Sequence, residues 1–272
     1  MSDISPVQLT TGPLRSTVTI ELHTHLATRT WTGRQPDPAE NIHGIIGIPR
    51  FLNIMNIIRL DSQADNPYAD LWMLRLEERL LAARTEMNAL IDSMAAVFNQ
   101  LPEMMTVEGC ASIQPARFPV FASSQLGFIA VYLLTDFDEL MRKALLAQHM
   151  ALINRVEMNA LRQKGGNLIR SILVLAQKYR RIPVTRQDIR DHNARAIAAE
   201  EQAGSVPEEI FTGSSRSVYA PPLRLVADEQ PSKSPVVDET PVSVSEPHDD
   251  TENISIRSSV AATEAQDDES EA

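Results

Sequence analysis

Two histidines one residue apart, His23 and His25, fall at the end of an alternating segment and would share one face of a strand, a spacing that can hold zinc. No cysteine lies near them in sequence. Cys110 and the four scattered histidines supply no ligand pattern, so polar residues on an exposed strand face account for the pair. Gln163-Lys164-Gly165-Gly166-Asn167 has the lysine and glycines of a phosphate loop. It lacks the G-x-x-x-x-G-K-S/T spacing and falls between helices rather than after a strand. Cys110 has no sequence-local partner to activate it and reads as a buried, inert thiol. Ser123-Ser124 has no G-x-S-x-G elbow. Asp136 and Asp138 form a carboxylate pair, but a place at a helix start, where the dipole favours negative charge, explains them. No catalytic, cofactor-binding or metal-ligating residue is assigned, and the chain reads as a non-enzyme.

The basic stretch carries the strongest functional signal. Lys178, Arg180, Arg181, Arg186, Arg190 and Arg195 span a helix end, a proline turn at Pro183 and a new helix start at Thr185. Arginines around a helix N-terminus suit phosphate, because free N–H groups and the dipole add to the side-chain charge. The competing reading is a solvated basic face that balances an acidic helix or the acidic tail.

These residues need elements to hold them. Ser16–Thr24 alternates Val18, Ile20 and Leu22 with polar residues, as a half-buried strand does. Thr28–Ala39 reads as a loop, and Pro49–Leu60 as a helix with Phe51, Leu52, Met55 and Ile58 inward. Asp65-Asn66-Pro67 is a helix start, and a heptad helix of about 67–101 follows. Its seam, Leu76, Leu80, Ala83, Met87, Leu90, Met94, Val97 and Leu101, suits packing along another helix. A dimerisation coiled coil is one use of that seam; packing within the domain is the expected one.

Val107–Phe121 and Gly127–Leu134 read as strands, with Pro115 and Pro119 confining the first to an edge; length alone leaves a helix open for 127–134. Thr135 is expected to cap a helix to about Leu152. Asn154–Gln163 and Asn167–Arg181 follow, interrupted or kinked at Gly165-Gly166, and Thr185-Arg186-Gln187-Asp188 resembles a capping box for a helix through Gln202.

The formal charge of −11 is misleading, because from Val226 onward 13 acidic residues face only Lys233 and Arg257. Residues 1–225 hold 23 acidic and 23 basic residues, and within them the signs separate. Asp61–Glu108 carries nine acids against three arginines, whereas Arg142–Arg195 carries twelve bases against three acids. The tail has too few apolar side chains to offset the entropy of ordering. No run of some 18 apolar residues and no signal-peptide pattern occurs. With a single cysteine, this points to a cytoplasmic chain.

Several strings together resemble integrating conjugative element proteins related to the AcaB-type transcriptional regulators. They are Leu14-Arg15-Ser16 with Leu22-His23-Thr24-His25, Asn41-Ile42-His43-Gly44-Ile45-Ile46-Gly47, and Asn66-Pro67-Tyr68-Ala69-Asp70. Gln114-Pro115-Ala116-Arg117, Tyr132-Leu133-Leu134-Thr135-Asp136-Phe137-Asp138 and Val184-Thr185-Arg186-Gln187-Asp188 complete them. The likeness spans roughly 14–215. It implies a regulator encoded on a mobile element and, by extension, a ribbon-helix-helix DNA-binding module, which reads the major groove as a dimer. Strand 127–134 followed by two helices has the matching order, but it offers no polar side chain to a base, so Arg117, or Thr17 and Thr19, would have to serve.

The expected architecture is therefore α+β, mainly helical with a small antiparallel sheet. It comprises a flexible 1–13, a body of 14–215 with a basic helical region at 142–202, and a disordered acidic tail of 216–272. The expected function is a DNA-binding regulator or accessory factor of an integrative conjugative element. A protein-interaction or structural part of the transfer apparatus is the alternative. Duplex DNA is the expected partner, with backbone contacts from Lys178, Arg180, Arg181, Arg186 and Arg190 and a further contact from Arg117. A homodimer is compatible; no membrane, cofactor or small-molecule substrate is expected.

Overall fold

The computed structural model describes residues 18–39, 41–107 and 109–223. The proposed flexible residues 1–13 and the acidic tail beyond 223 lie outside the described residues.

The alternating first segment forms β1 (Val18–Leu22), with Leu22 buried and Thr19 and Glu21 exposed. The chain then turns at once into α1 (His25–Thr32), because the Thr24 hydroxyl accepts from the Ala27 N–H at 3.2 Å and caps it. Ala27 and Trp31 are buried, and Gly33 at φ +82° ends the helix. This corrects two expectations: the loop begins only after Thr32, and His23 and His25 do not share a strand face. Pro49 in the first turn starts α2 (Ile48–Gln63), which buries Ile48, Phe51, Leu52, Met55 and Ile58 as its spacing predicts.

Asn66 caps α3 (Pro67–Phe98) by accepting from the N–H groups of Tyr68 and Ala69. Its heptad seam is consumed inside the molecule: Leu76, Leu80, Ala83 and Met87 are fully buried. The helix stops at Phe98, short of Leu101. Among the described residues of the extended 107–121 segment only β2 (Ala116–Val120) is a strand, paired antiparallel with β1 so that Ile20 faces Phe118 and Glu21 faces Arg117.

The largest departure is α4 (Gln125–His149). Ser124, not Thr135, caps it through the Gly127 N–H at 3.1 Å, and Gly127–Leu134 is helical. Leu126, Gly127, Ile129, Ala130, Val131, Leu133 and Leu134 are all buried. A helix covered on most sides shows no amphipathic period, and its apolar run then reads like a buried strand. The strand–helix–helix order expected for a ribbon-helix-helix module is thus absent at this position. Thr135 instead donates its hydroxyl back to the Tyr132 carbonyl.

A capping box between Asn154 and Glu157 opens α5 (Arg155–Gln177), which runs unbroken through Gly165-Gly166. The pair makes no break in the helix, and Gly165 serves packing. A Cβ at Gly165 would lie 2.9 Å from Cδ2 of Phe137. Beyond Pro183, Thr185 and Asp188 do form a capping box, but the helix it starts is short: α6 (Arg186–Arg190). His192 at φ +47° breaks the chain, and Asn193 recaps it as α7 (Ala194–Ala203), followed by α8 (Glu208–Thr212).

The core lies among α2, α3, α4 and α5, with α1 and the hairpin laid against α4. A satellite core of Tyr68, Ile182, Val184, Ala196 and Ala199 docks the segment after α5 onto the start of α3. Residues 216–223, assigned by sequence to the tail, belong to the body. Arg216 pairs with Asp70, the Val218 N–H donates to Glu77, and Tyr219 and Ala220 pack on the main core. None of the described helices is long and apolar enough to cross a membrane.

Candidate nucleic-acid interface

The six cations between Lys178 and Arg195 divide by what faces them. Asp61 near the end of α2 is 4% exposed, and Arg181 forks onto it with Nη2 2.7 Å and Nε 2.9 Å from Oδ1. The Tyr179 hydroxyl donates to the same carboxylate at 2.9 Å. Burial, then the hydrogen bond to Asp61 and its charge, push that phenol well above the tyrosine range, so it stays protonated. The hydrogen bond to Asp61 likewise holds the Arg181 guanidinium above its ordinary value. Arg181 is 68% exposed at its side chain, yet its charge is already matched.

Arg186 is enclosed. Its residue exposure is 3%, and each guanidinium nitrogen is engaged: Nη1 with Asp65, Nη2 with Asp70 and the Ile210 carbonyl, Nε with the Phe211 carbonyl. Arg216 forks onto Asp70 from the other side, and the Ser62 hydroxyl donates to it as well. The expectation that Arg186 meets phosphate is therefore corrected: it is the centre of a neutral, fully bonded knot that ties the end of the body to the α2–α3 corner.

Lys178 and Arg180 stay exposed. With Arg75 from α3 they line a cleft of about 330 Å³ beside Tyr68, Trp72 and Ile182. Among the described residues none of the three makes an ion pair. Arg75 lies 5.9 Å from the centre of the Trp72 ring, which meets Tyr179 edge-on. By sequence Arg75 groups with the acidic segment; only its position three residues past Trp72 hints at a shared helix face. Arg190 lies over the Phe211 ring at 5.7 Å, and Arg195 is exposed. Arg117 is far from these in sequence and pairs with Glu21 at 2.8 Å across the hairpin, as the register dictates.

The remaining candidates have structural roles. Asp136 and Asp138 sit mid-helix, not at a helix start. Asp136 pairs with Arg84 at 3.3 Å, and burial raises its pKa above the usual carboxylate value. Asp138, 2% exposed, accepts from the N–H groups of His23 and Thr24 and from the Thr24 hydroxyl. His23 accepts from the Ser112 N–H. Cys110 is exposed, contrary to expectation. Among the described residues no three His, Cys, Asp or Glu side chains gather where a metal could sit.

The model of the family described as transcriptional regulator AcaB matches residues 10–224. The chain belongs to the AcaB family of transcriptional regulators. The match covers the whole described body and stops where the acidic tail begins. Among solved structures, selenomethionine-containing AcaB from uropathogenic E. coli is similar at 10% identity and a TM-score of 0.45, over 73% of this chain and 95% of that one. No curated protein matches the sequence.

Proposed function

We propose that this AcaB-family regulator binds duplex DNA through the face formed by Lys178, Arg180 and Arg75, extended by Arg190 and Arg195, and that it acts on genes of an integrative conjugative element in the bacterial cytoplasm. One observation carries the reading. The acids at the α2–α3 corner are spent on Arg181, Arg186 and Arg216, while Lys178, Arg180 and Arg75 open on one cleft whose described lining includes no carboxylate. A lysine and arginines on such a face suit the phosphate backbone, which positions a protein on DNA without reading its sequence. The first half of the heptad seam, Leu76, Leu80, Ala83 and Met87, is taken up by the protein's own core, which favours packing within the chain as its use. As a homodimer the chain would present this face twice along a duplex, and light scattering of the complex counts the copies.

A salt titration of binding to a labelled duplex tests the reading. The log affinity is expected to fall linearly with log salt, and replacing Lys178, Arg180 and Arg190 with alanine should lower the slope by roughly 0.9 for each phosphate no longer neutralised. Absence of binding at low salt, or an unchanged slope in the triple variant, rejects it.

A further inference from the structure

A second cationic cleft lies where α1 and the segment after it meet α4 and α5. Arg29 on α1, Arg34 just beyond it, and Arg162 and Arg170 on α5 line a cavity of about 260 Å³ walled by Phe137 and Ile46. Among the described residues no carboxylate lines it, and none of the four arginines makes an ion pair.

Two of the four cations have side-chain hydrogen-bond partners. Gly33 at φ +82° lets the chain close an antiparallel bridge between Arg34 and Ile45; a Cβ there would meet the Ile45 oxygen at 2.6 Å. Arg34 then donates from Nη2 and Nε to the His43 carbonyl at 2.9 and 3.2 Å, which fixes its guanidinium at the rim. Arg170 folds back across Gly166 and donates to the Asn167 side chain. Its guanidinium is held below the ordinary arginine value, first by partial burial and then by the charge of Arg34. Four like charges around one concavity repel one another, and an anion placed among them relieves the repulsion and finds several charge-assisted donors.

We propose that this cavity binds a small organic phosphate, its phosphoryl group among the four arginines and its apolar part against Phe137 and Ile46. The concave shape and apolar wall favour a small molecule over a DNA strand, because pockets for small ligands pair an apolar lining with a few placed polar groups. The site is distinct from the DNA face and would give the regulator an effector.

Calorimetry and thermal unfolding of the full chain with inorganic phosphate and with phenyl phosphate test this, against sodium chloride at matched ionic strength. Both are expected to bind saturably, phenyl phosphate more tightly. The Arg34→Gln/Arg170→Gln double variant should weaken binding at least about tenfold, the loss of a charge-assisted hydrogen bond. Arg162→Gln changes an exposed side chain that makes no ion pair among the described residues, so it leaves the fold intact and should weaken binding in the same sense. No binding beyond the chloride control, or undiminished binding in both variants, overturns the proposal. Loss of duplex binding in these variants without phosphate binding in the parent also overturns it, by assigning the cleft to DNA. The Lys178, Arg180 and Arg190 triple variant should keep its phenyl phosphate affinity, which separates this proposal from the DNA reading.

Discussion

Arg186 Nη2 lies 2.6 Å from Asp70 Oδ2, with 3% of one side chain and none of the other exposed to solvent. The two residues are 116 positions apart. Without Arg186, Asp70 keeps Arg216 and Ser62, but Asp65 loses its cation, the knot is left with a net negative charge, and the Ile210 and Phe211 carbonyls lose their donor. Arg186→Ala is therefore expected to lower the unfolding free energy by about 3–5 kcal/mol in urea denaturation. Any accompanying loss of DNA binding should follow the loss of folded protein, and disappear where the variant is kept native.

Asp61 masks a cation. Asp61→Asn would leave Arg181 hydrogen-bonded but no longer neutralised, adding one positive charge beside Lys178 and Arg180. Under the DNA reading, the slope of log affinity against log salt steepens by roughly 0.9. An unchanged slope would exclude Arg181 from the interface.

Gly165 and Gly166 should respond oppositely to alanine. At Gly165 the new methyl meets the ring of Phe137, which is 2% exposed and has nowhere to go, so Gly165→Ala is expected to lower the Tm. At Gly166 it meets only the guanidinium of Arg170, the far end of a flexible side chain. Gly166→Ala should then gain up to about 1 kcal/mol from helix propensity. Thermal unfolding of both variants decides it.

The Asp188 carboxylate is held below the ordinary aspartate value of 3.8, first by the Asn193 side chain and then by the N–H and hydroxyl of Thr185. A depressed folded pKa stabilises the fold above the unfolded value, and the contribution is lost as pH falls through the folded one. Asp188→Ala should therefore be less stable than the parent at neutral pH, with the gap narrowing steadily below about pH 4. A gap that stays constant into acid would mean the carboxylate charge plays no part.

What could be read in the sequence was whatever chemistry is local. The α2 and α3 starts were legible because Pro49 and Asn66-Pro67 carry the signal within two residues, and the Thr185–Asp188 box for the same reason. Helix α1 was hidden because its cap, Thr24, also fits the polar half of an alternating run. The first half of α4 was hidden because burial on most sides erases the helical period. Among the arginines the sequence could not separate Arg186 from Arg180: what distinguishes them is Asp65 and Asp70, more than a hundred residues upstream. Arg29, Arg34, Arg162 and Arg170 form no run in the sequence at all, and only the packing of α1 on α4, which also packs on α5, gathers them.

The carboxylate of Asp138 takes its hydrogen bonds from His23 and Thr24, 115 and 114 residues earlier. The sole strand partner of β1 among the described residues is likewise β2. A chain synthesised from its N-terminus exposes residues 18–32 long before either anchor has emerged, and pairing across such a separation is slow to nucleate. The first part of this body to leave the ribosome is thus among the last to be fixed, waiting on the middle of α4 to give it a place.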